Sequence, residues 1–263
     1  MAGPTTAERQ QRTSGPSRPQ RTRRVLTARS RALVLALALA VLLAAGGAWV
    51  FYGSHWLRLE HVETSGTRVL TPQEVLDAAD APLGTPLISV DTGAIEERLR
   101  SKLPRIDSVA VTRSWPHGIG LEVTEREPVL LIEKGGKFIE VDAEGVRFAT
   151  VGRAPADVPR LELTPDQENG AASLRRFGTD RLLREAVRVT GDLPEAVGRA
   201  TRKVKVRSYD SISLELSGGR TVVWGSGEKG RTKATTLTAL MKATPKARHF
   251  DVSVPTAPAS SGS

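Results

Sequence analysis

The sequence predicts an α+β protein carried on a single transmembrane helix. Three observations point there. Residues 32–52 form an uninterrupted uncharged run. Residues 57–127 follow a β-α-α-β-β rhythm, and residues 128–255 alternate apolar and polar positions in short strands around two helical stretches. The chain has 263 residues, enough for an anchor and two small domains.

The uncharged run is 21 residues long, and as a helix at ~1.5 Å per residue it spans about 30 Å, the thickness of a bilayer core. Ten of these residues are Leu, Val or Phe. On an insertion scale they favour the membrane by about 3–6 kcal/mol. Trp49, Tyr52 and Trp56 cluster at the far end, where amphipathic rings suit the headgroup layer. Seven arginines occupy residues 12–31, against Arg58 and Arg68 in residues 53–70. The positive-inside rule therefore predicts a cytoplasmic N-terminus and an extracytoplasmic C-terminal bulk. A cleaved signal peptide would have a shorter basic leader and an apolar run of only ~7–15 residues, so the anchor is expected to stay attached. Ala32, Ala36, Ala40, Ala44 and Ala48 recur every fourth residue, a spacing that an alanine-rich helix also produces without a packing partner.

The formal net charge is +9, which raises the question of nucleic acid. Residues 1–31 hold eight arginines and one acid, leaving 30 bases and 28 acids for everything else. The excess lies in a tail and not on a folded face, so no nucleic-acid partner is expected. That tail (residues 1–31, rich in Pro, Thr, Ser and Gln) is predicted to be disordered and to rest against anionic lipid. Cysteine is absent, which excludes disulfides, thiol catalysis and iron–sulfur clusters. His55, His61, His117 and His249 form no local ligand pair, so no metal or cofactor is expected.

The elements of the first outer module follow from local signals. Leu57, Leu59 and Val62 suggest an opening strand. Thr71-Pro72-Gln73-Glu74 is a capping box with proline at the first helical position, and Val75, Ala78 and Ala79 then share a face. Asp91 can cap a second helix with Ile95, Leu99 and Leu103 at i, i+4 and i+8, and Pro104 ends it. Val109, Val111 and Arg113 alternate, Pro116-His117-Gly118 turns, and Ile119, Leu121 and Val123 return.

In the second module, Val129, Leu130, Leu131 and Ile132 precede a Gly135-Gly136 turn, and Phe138, Ile139 and Val141 follow. The segment from Asp142 to Gly145 makes another turn. Pro155, Pro159 and Pro165 punctuate a loop around Leu161. A helix is expected over about 180–190, strands over 204–208, 212–216 and 221–224, and a last helix over about 228–243. A closing strand covers Phe250, Asp251, Val252, Ser253 and Val254, and residues 256–263 read as a disordered tail.

Several of these strings are shared with a known family. They are Ser65-Gly66, the stretch from Gly84 to Asp91, Leu103-Pro104-Arg105-Ile106, Arg113-Ser114-Trp115-Pro116 and Glu125-Arg126-Glu127-Pro128. Together they resemble the POTRA domain of the cell division family FtsQ/DivIB, of actinobacterial type. The spacing of Arg113, Trp115 and Pro116 to Glu125, Arg126 and Pro128 is the specific part. Two departures stand out: Gly66-Thr67 replaces the usual Gly-Asn, and Arg105 occupies a position where an aromatic is common. Residues 128–255 resemble the family's C-terminal β domain, with an Asp142-to-Gly145 turn and Trp224-Gly225 ahead of a lysine-containing last helix. The likeness spans residues 32–255.

The resemblance implies a non-enzymatic divisome scaffold in the plasma membrane at the division septum. It further implies assembly with FtsB/DivIC-like and FtsL-like bitopic proteins and other divisome components, and a part in controlling septal peptidoglycan synthesis. In the closing strand, Phe250, Val252 and Val254 alternate with Asp251 and Ser253. It reads either as an edge that accepts a partner strand or as an ordinary edge whose apolar residues face the core. The resemblance favours docking. The alternative classes are a membrane-tethered envelope enzyme and a POTRA chaperone. Catalytic signals are missing. Met1 and Met241 are the only methionines, so no Ser-x-Met nucleophile exists, and no Gly-x-Ser-x-Gly elbow occurs. Gly225-Ser226-Gly227 lacks phosphate-loop spacing and reads as a turn with Ser226 as a helix N-cap. Glu96-Glu97 reads as a solvated pair. The chaperone reading lacks a second POTRA copy.

Overall fold

The structure, a computed structural model, describes residues 28–53, 57–164 and 178–262. The basic tail up to residue 27, His55, Trp56 and the Pro165 end of the proline-punctuated loop lie outside the described residues. The chain divides into two compact units, residues 1–53 and 54–263. The first contains α1 (Ala28–Gly53), 26 residues long. Its leucines and valines are exposed, and the stretch Ser30–Tyr52 is long and apolar enough to cross a membrane.

The second unit contains two sheets with separate cores. In the POTRA module, β1 (His61–Ser65), β2 (Ile106–Ser114) and β3 (Gly118–Glu125) lie in the order β1-β3-β2. β1 runs parallel to β3, from His61 beside Gly118 to Ser65 beside Glu122. β2 and β3 form the antiparallel hairpin. The two helices, α2 (Pro72–Ala79) and α3 (Thr92–Lys102), start as their sequences dictate. Thr71 Oγ1 accepts from the Glu74 N–H, and Glu74 accepts in turn from the Thr71 N–H at 2.8 Å. Asp91 accepts from the Ala94 N–H at 3.0 Å. Val75, Ala79, Ile95 and Leu99 are buried against the inward residues of β2 and β3. Gly66 is required at its position. Its φ is +82°, and a Cβ there would stand 2.0 Å from the Val123 carbonyl oxygen.

The β domain is one nine-stranded mixed sheet. Its strands are β4 (Leu130–Lys134), β5 (Lys137–Val141), β6 (Arg147–Val151), β7 (Arg160–Leu163), β8 (Thr201–Ser208), β9 (Ser211–Leu216), β10 (Thr221–Gly225), β11 (His249–Asp251) and β12 (Ala259–Ser261). Their spatial order is β12-β11-β10-β9-β8-β7-β4-β5-β6. The pairs β4–β7, β7–β8 and β10–β11 are parallel, so each needs a crossover. Helix α4 (Thr179–Asp192) and the short α5 (Glu195–Ala200) lie in the connection to β8, and α6 (Gly230–Ala243) lies in the connection to β11. Leu182, Leu183, Ala186 and Leu237 from these helices enter one core with Val204, Val206, Leu214, Val222, Trp224 and Phe250.

Three expectations need correction. A third helix, the six-residue α5, joins the two expected, with Pro194 just before its first residue. Ser226 is not the N-cap of the last helix. That place belongs to Lys229, in a left-handed conformation with φ of 54°, while Ser226 Oγ accepts from the Glu228 N–H at 3.4 Å. The tail 256–263, expected to be disordered, carries β12. Backbone pairing needs no apolar side chain, so a Pro/Ser/Thr composition conceals it.

Candidate functional site

The strand proposed from sequence as an open edge is occupied on both sides. Thr221, Val222 and Val223 of β10 flank His249, Phe250 and Asp251 on one side; Ser261, Ser260 and Ala259 of β12 flank them on the other. Phe250 and Val252 are buried in the core, and the Val252 N–H donates to Val223 O at 3.0 Å. Asp251 turns the chain just after the strand, its Oδ1 accepting from the N–H of Ser253 at 2.9 Å and from its hydroxyl at 2.7 Å. Val254 is exposed, and the chain folds back there, the Ala257 N–H donating to Val254 O at 3.0 Å. The Arg248 N–H then donates to Gly262 O at 2.8 Å, fastening the end of β12.

The edge reading is therefore corrected in its location. Phe250, Asp251 and Val252 lie one strand inside, and the outermost strand is β12, with Ala259 and Ser261 exposed. A cleft of about 500 Å³ runs beside it, bounded by Thr244, Pro245, Lys246 and Ala247 and by Ser260, Ser261 and Gly262. Small side chains on β12 leave its backbone accessible, and the cleft gives an adjoining surface that an added strand can reach.

The POTRA motif residues fall into two groups at opposite ends of that module. Arg113, Trp115 and Pro116 lie at the β2–β3 turn. The Trp115–Pro116 peptide is cis. Arg113 ties the hairpin to the helical side, its Nε donating to Leu87 O at 3.1 Å and its Nη2 to Val90 O at 2.6 Å. At the other end, the buried Glu125 carboxylate accepts from three successive backbone groups: Arg68 N–H at 2.6 Å, and Val69 and Leu70 N–H at 3.0 Å each. It thereby holds the loop that leads into α2.

Arg126 joins the two modules. Its N–H donates to Arg105 O at 2.8 Å, and its guanidinium pairs with Asp107 at 3.2 Å and with the buried Asp142 of the β domain. Asp142 is held in turn by the N–H groups of Glu144 (3.0 Å) and Val146 (2.7 Å). Arg105 pairs with the buried Glu140 on β5 and stacks over the Phe148 ring of β6 at 5.2 Å. Its departure from the family's aromatic thus fits its partners. Pro128, half-buried, separates β3 from β4 and directs the chain into the second sheet. Glu140 was not singled out from sequence, and Arg105 was noted only as a departure from the family pattern, with no partner assigned. Asp142 read as a turn residue, and nothing local shows that it meets Arg126, sixteen positions earlier.

Lys233 was also missed. It lies on α6, almost wholly buried, and its Nζ donates to Trp224 O at 2.9 Å and Ser226 O at 2.8 Å. Burial pushes its pKa below the ordinary lysine value, and Glu228 only partly offsets this. The ammonium acts as a clamp on the carbonyl groups where β10 leaves the sheet. On the outer face of the sheet, the Lys203 Nζ donates to Glu162 at 2.7 Å. That contact lowers the Glu162 pKa and raises that of Lys203. Among the described residues, no three His, Asp or Glu side chains converge as a metal site requires.

Comparison with known proteins bears on the first module and on the family. A family profile described as "POTRA domain, FtsQ-type" matches residues 57–126. A protein named cell division protein FtsQ from Streptomyces collinus is 69% identical over the full length of both chains. Its namesake from Streptomyces coelicolor is 67% identical, again over both full lengths. More distantly, cell division protein FtsQ of Mycolicibacterium smegmatis is 34% identical over 86% of this chain and 61% of its own. Among solved structures, the extracytoplasmic domain of DivIB from Geobacillus stearothermophilus aligns with 46% of this chain and 96% of its own, at 19% identity and a TM-score of 0.31, too slight a likeness to add to the assignment. Full-length identity at this level leaves one conclusion: the chain belongs to the FtsQ family of cell division proteins.

Proposed function

We propose that this protein, a non-catalytic division protein by its family, is a septal scaffold. It lies with its N-terminus in the cytoplasm and its β domain outside the plasma membrane. There it assembles with FtsB/DivIC-like and FtsL-like bitopic proteins and other divisome components, and so helps control septal peptidoglycan synthesis. The arginine asymmetry around α1 supports the orientation. The anchor confines the protein to the membrane plane, which raises the effective concentration of weak contacts with other anchored proteins.

The observation that carries the docking reading is the exposed strand β12 at the end of the nine-stranded sheet. A partner segment adds as a tenth strand along Ala259, Ser260 and Ser261. Phe250, Asp251, Val252, Ser253 and Val254 then serve as the support on which β12 is seated, with exposed Val254 in the turn that leads to it. Main-chain hydrogen bonds supply the attraction, and contacts in the adjoining cleft supply selectivity.

The test is co-purification of the full chain against a chain ending at Pro258, with partners identified by mass spectrometry. Loss of the bitopic division proteins from the shortened chain supports docking at β12; their retention places docking elsewhere. Single prolines at positions 259, 260 and 261 sharpen the result, because a proline whose missing N–H faces outward removes a docking donor while leaving the bonds to β11.

A further inference from the structure

Three segments converge at the end of the POTRA module where the chain enters it. The Leu59 N–H donates to Thr85 O at 2.9 Å, and Leu59 O accepts from the Gly84 N–H at 2.8 Å. On the other side, the Glu60 N–H donates to His117 O at 2.8 Å. Residues 57–60 therefore run between the segment around Leu83 and the Trp115 turn. Neighbouring extended segments lie ~4.8 Å apart, so the two flanks are about 10 Å from each other. Both flanks present apolar side chains outward: Leu83 is 62% exposed, Trp115 50% and Ile88 37%. Two cations are fixed among them. Arg58 donates from Nη1 to Gly84 O at 2.7 Å, and Arg113 is held by Leu87 and Val90 as described above. Within residues 57–60, 83–90 and 113–117 Glu60 is the one acid, with Asp91 next along the chain.

Scattered exposed apolar residues are ordinary. Here they gather at one end, the end at which the covalent chain enters from α1. Only residues 54–56 separate Gly53, the last residue of α1, from Leu57. Four Cα steps reach at most about 14 Å. The polar layer on each side of the hydrocarbon core is itself several ångströms thick, so the entry point of the POTRA module is tied within reach of the headgroups. Trp prefers that layer, and guanidinium groups are attracted to anionic headgroups there. Val69 is as exposed as Leu83 but belongs to the loop held by Glu125, at the far end of β1 and β3.

We propose that this end of the POTRA module is a lipid-contacting surface. Trp115, Leu83 and Ile88 enter the headgroup layer, and Arg58 and Arg113 face anionic lipid phosphates. The contact is weak in itself and is made effective by the tether. It rests on α1 spanning the bilayer and holds whichever side the outer domains occupy.

The natural chain lacks cysteine, so single cysteines can be labelled without background. The full chain carrying Leu83→Cys, Trp115→Cys, Val69→Cys or Leu42→Cys is labelled with an environment-sensitive fluorophore. Each is reconstituted into phosphatidylcholine–phosphatidylglycerol nanodiscs containing lipid brominated in the upper acyl chain, with folding checked by circular dichroism. Ile88→Cys replaces Trp115→Cys if that variant fails to fold. The expected result is blue-shifted, quenched emission at positions 42, 83 and 115, with position 69 unaffected. Quenching at 42 alone overturns the surface contact and leaves the anchor standing. No quenching at 42 removes the anchor and the contact with it. Equal quenching at 69 and 83 also overturns the proposal, since the contact would then have no preferred end.

Discussion

The two ends of the nine-stranded sheet are built on opposite principles. Near β6, buried charges and an aromatic ring fasten the sheet to the POTRA module through Arg105, Arg126, Glu140, Asp142 and Phe148. At β12 the last strand is three residues long and offers alanine and serine. A permanent neighbour in the same chain can be held by desolvated ion pairs, because loss of either charge is heavily penalised and the pairing is always present. A surface meant to accept an incoming strand keeps its backbone accessible and its side chains small. Stability should therefore be concentrated at the first end and partner capture at the second.

The largest expected effect comes from breaking the first end. Arg126→Ala leaves the buried Asp142 without its cation and should destabilise the outer unit by about 3–5 kcal/mol, measured by urea unfolding of the detergent-solubilised chain. An unfolding midpoint equal to that of the natural chain would show that Asp142 is not held as described. Glu125→Gln preserves shape but weakens three charge-assisted hydrogen bonds, for a loss of about 1.5–3 kcal/mol in the same assay.

Lys233→Met comes next. It frees two carbonyl oxygens near the end of β10 and should cost about 1–3 kcal/mol near neutral pH. The sign of its pH dependence follows from the lowered pKa. Below the folded-state value both states carry the proton, and the folded protein bears the full penalty of the buried ammonium. As pH rises from that value towards the ordinary lysine pKa of 10.5, the folded state gives up its proton first, and this residue's contribution grows more favourable. Subtracting the variant's stability from that of the natural chain across this range should reveal the rise; a flat difference would exclude it. The smallest effect on stability should come from removing residues 259–263. That strand buries little apolar surface, so unfolding should move by less than about 1 kcal/mol, whereas the proposed docking predicts loss of partner capture. A large loss of stability would erase the contrast between the two ends.

Most local elements were legible because their signals are local. The Thr71 capping box, the Asp91 cap, the alternation through Val109 and Val111, and the uncharged run of α1 each depend on residues within a few positions. The outermost strand was misread because it is held by main-chain bonds that leave no apolar pattern, while the chemically patterned Phe250 and Val252 beside it serve the core. Arg105 looked like a departure from the family and proved to be matched to Glu140 and Phe148, thirty-five and more positions away. Lys233 looked like an ordinary helix lysine; its burial depends on where α6 crosses the end of β10.

By itself, then, the sequence determined the long apolar helix, the helix starts, the strand alternation and the family, since each depends on composition or short-range spacing. The tertiary structure alone decided which strand is outermost, which charges lock the two modules together and which lysine is buried. Those properties belong to groups brought together across long stretches of chain, and short-range periodicity carries no record of such meetings.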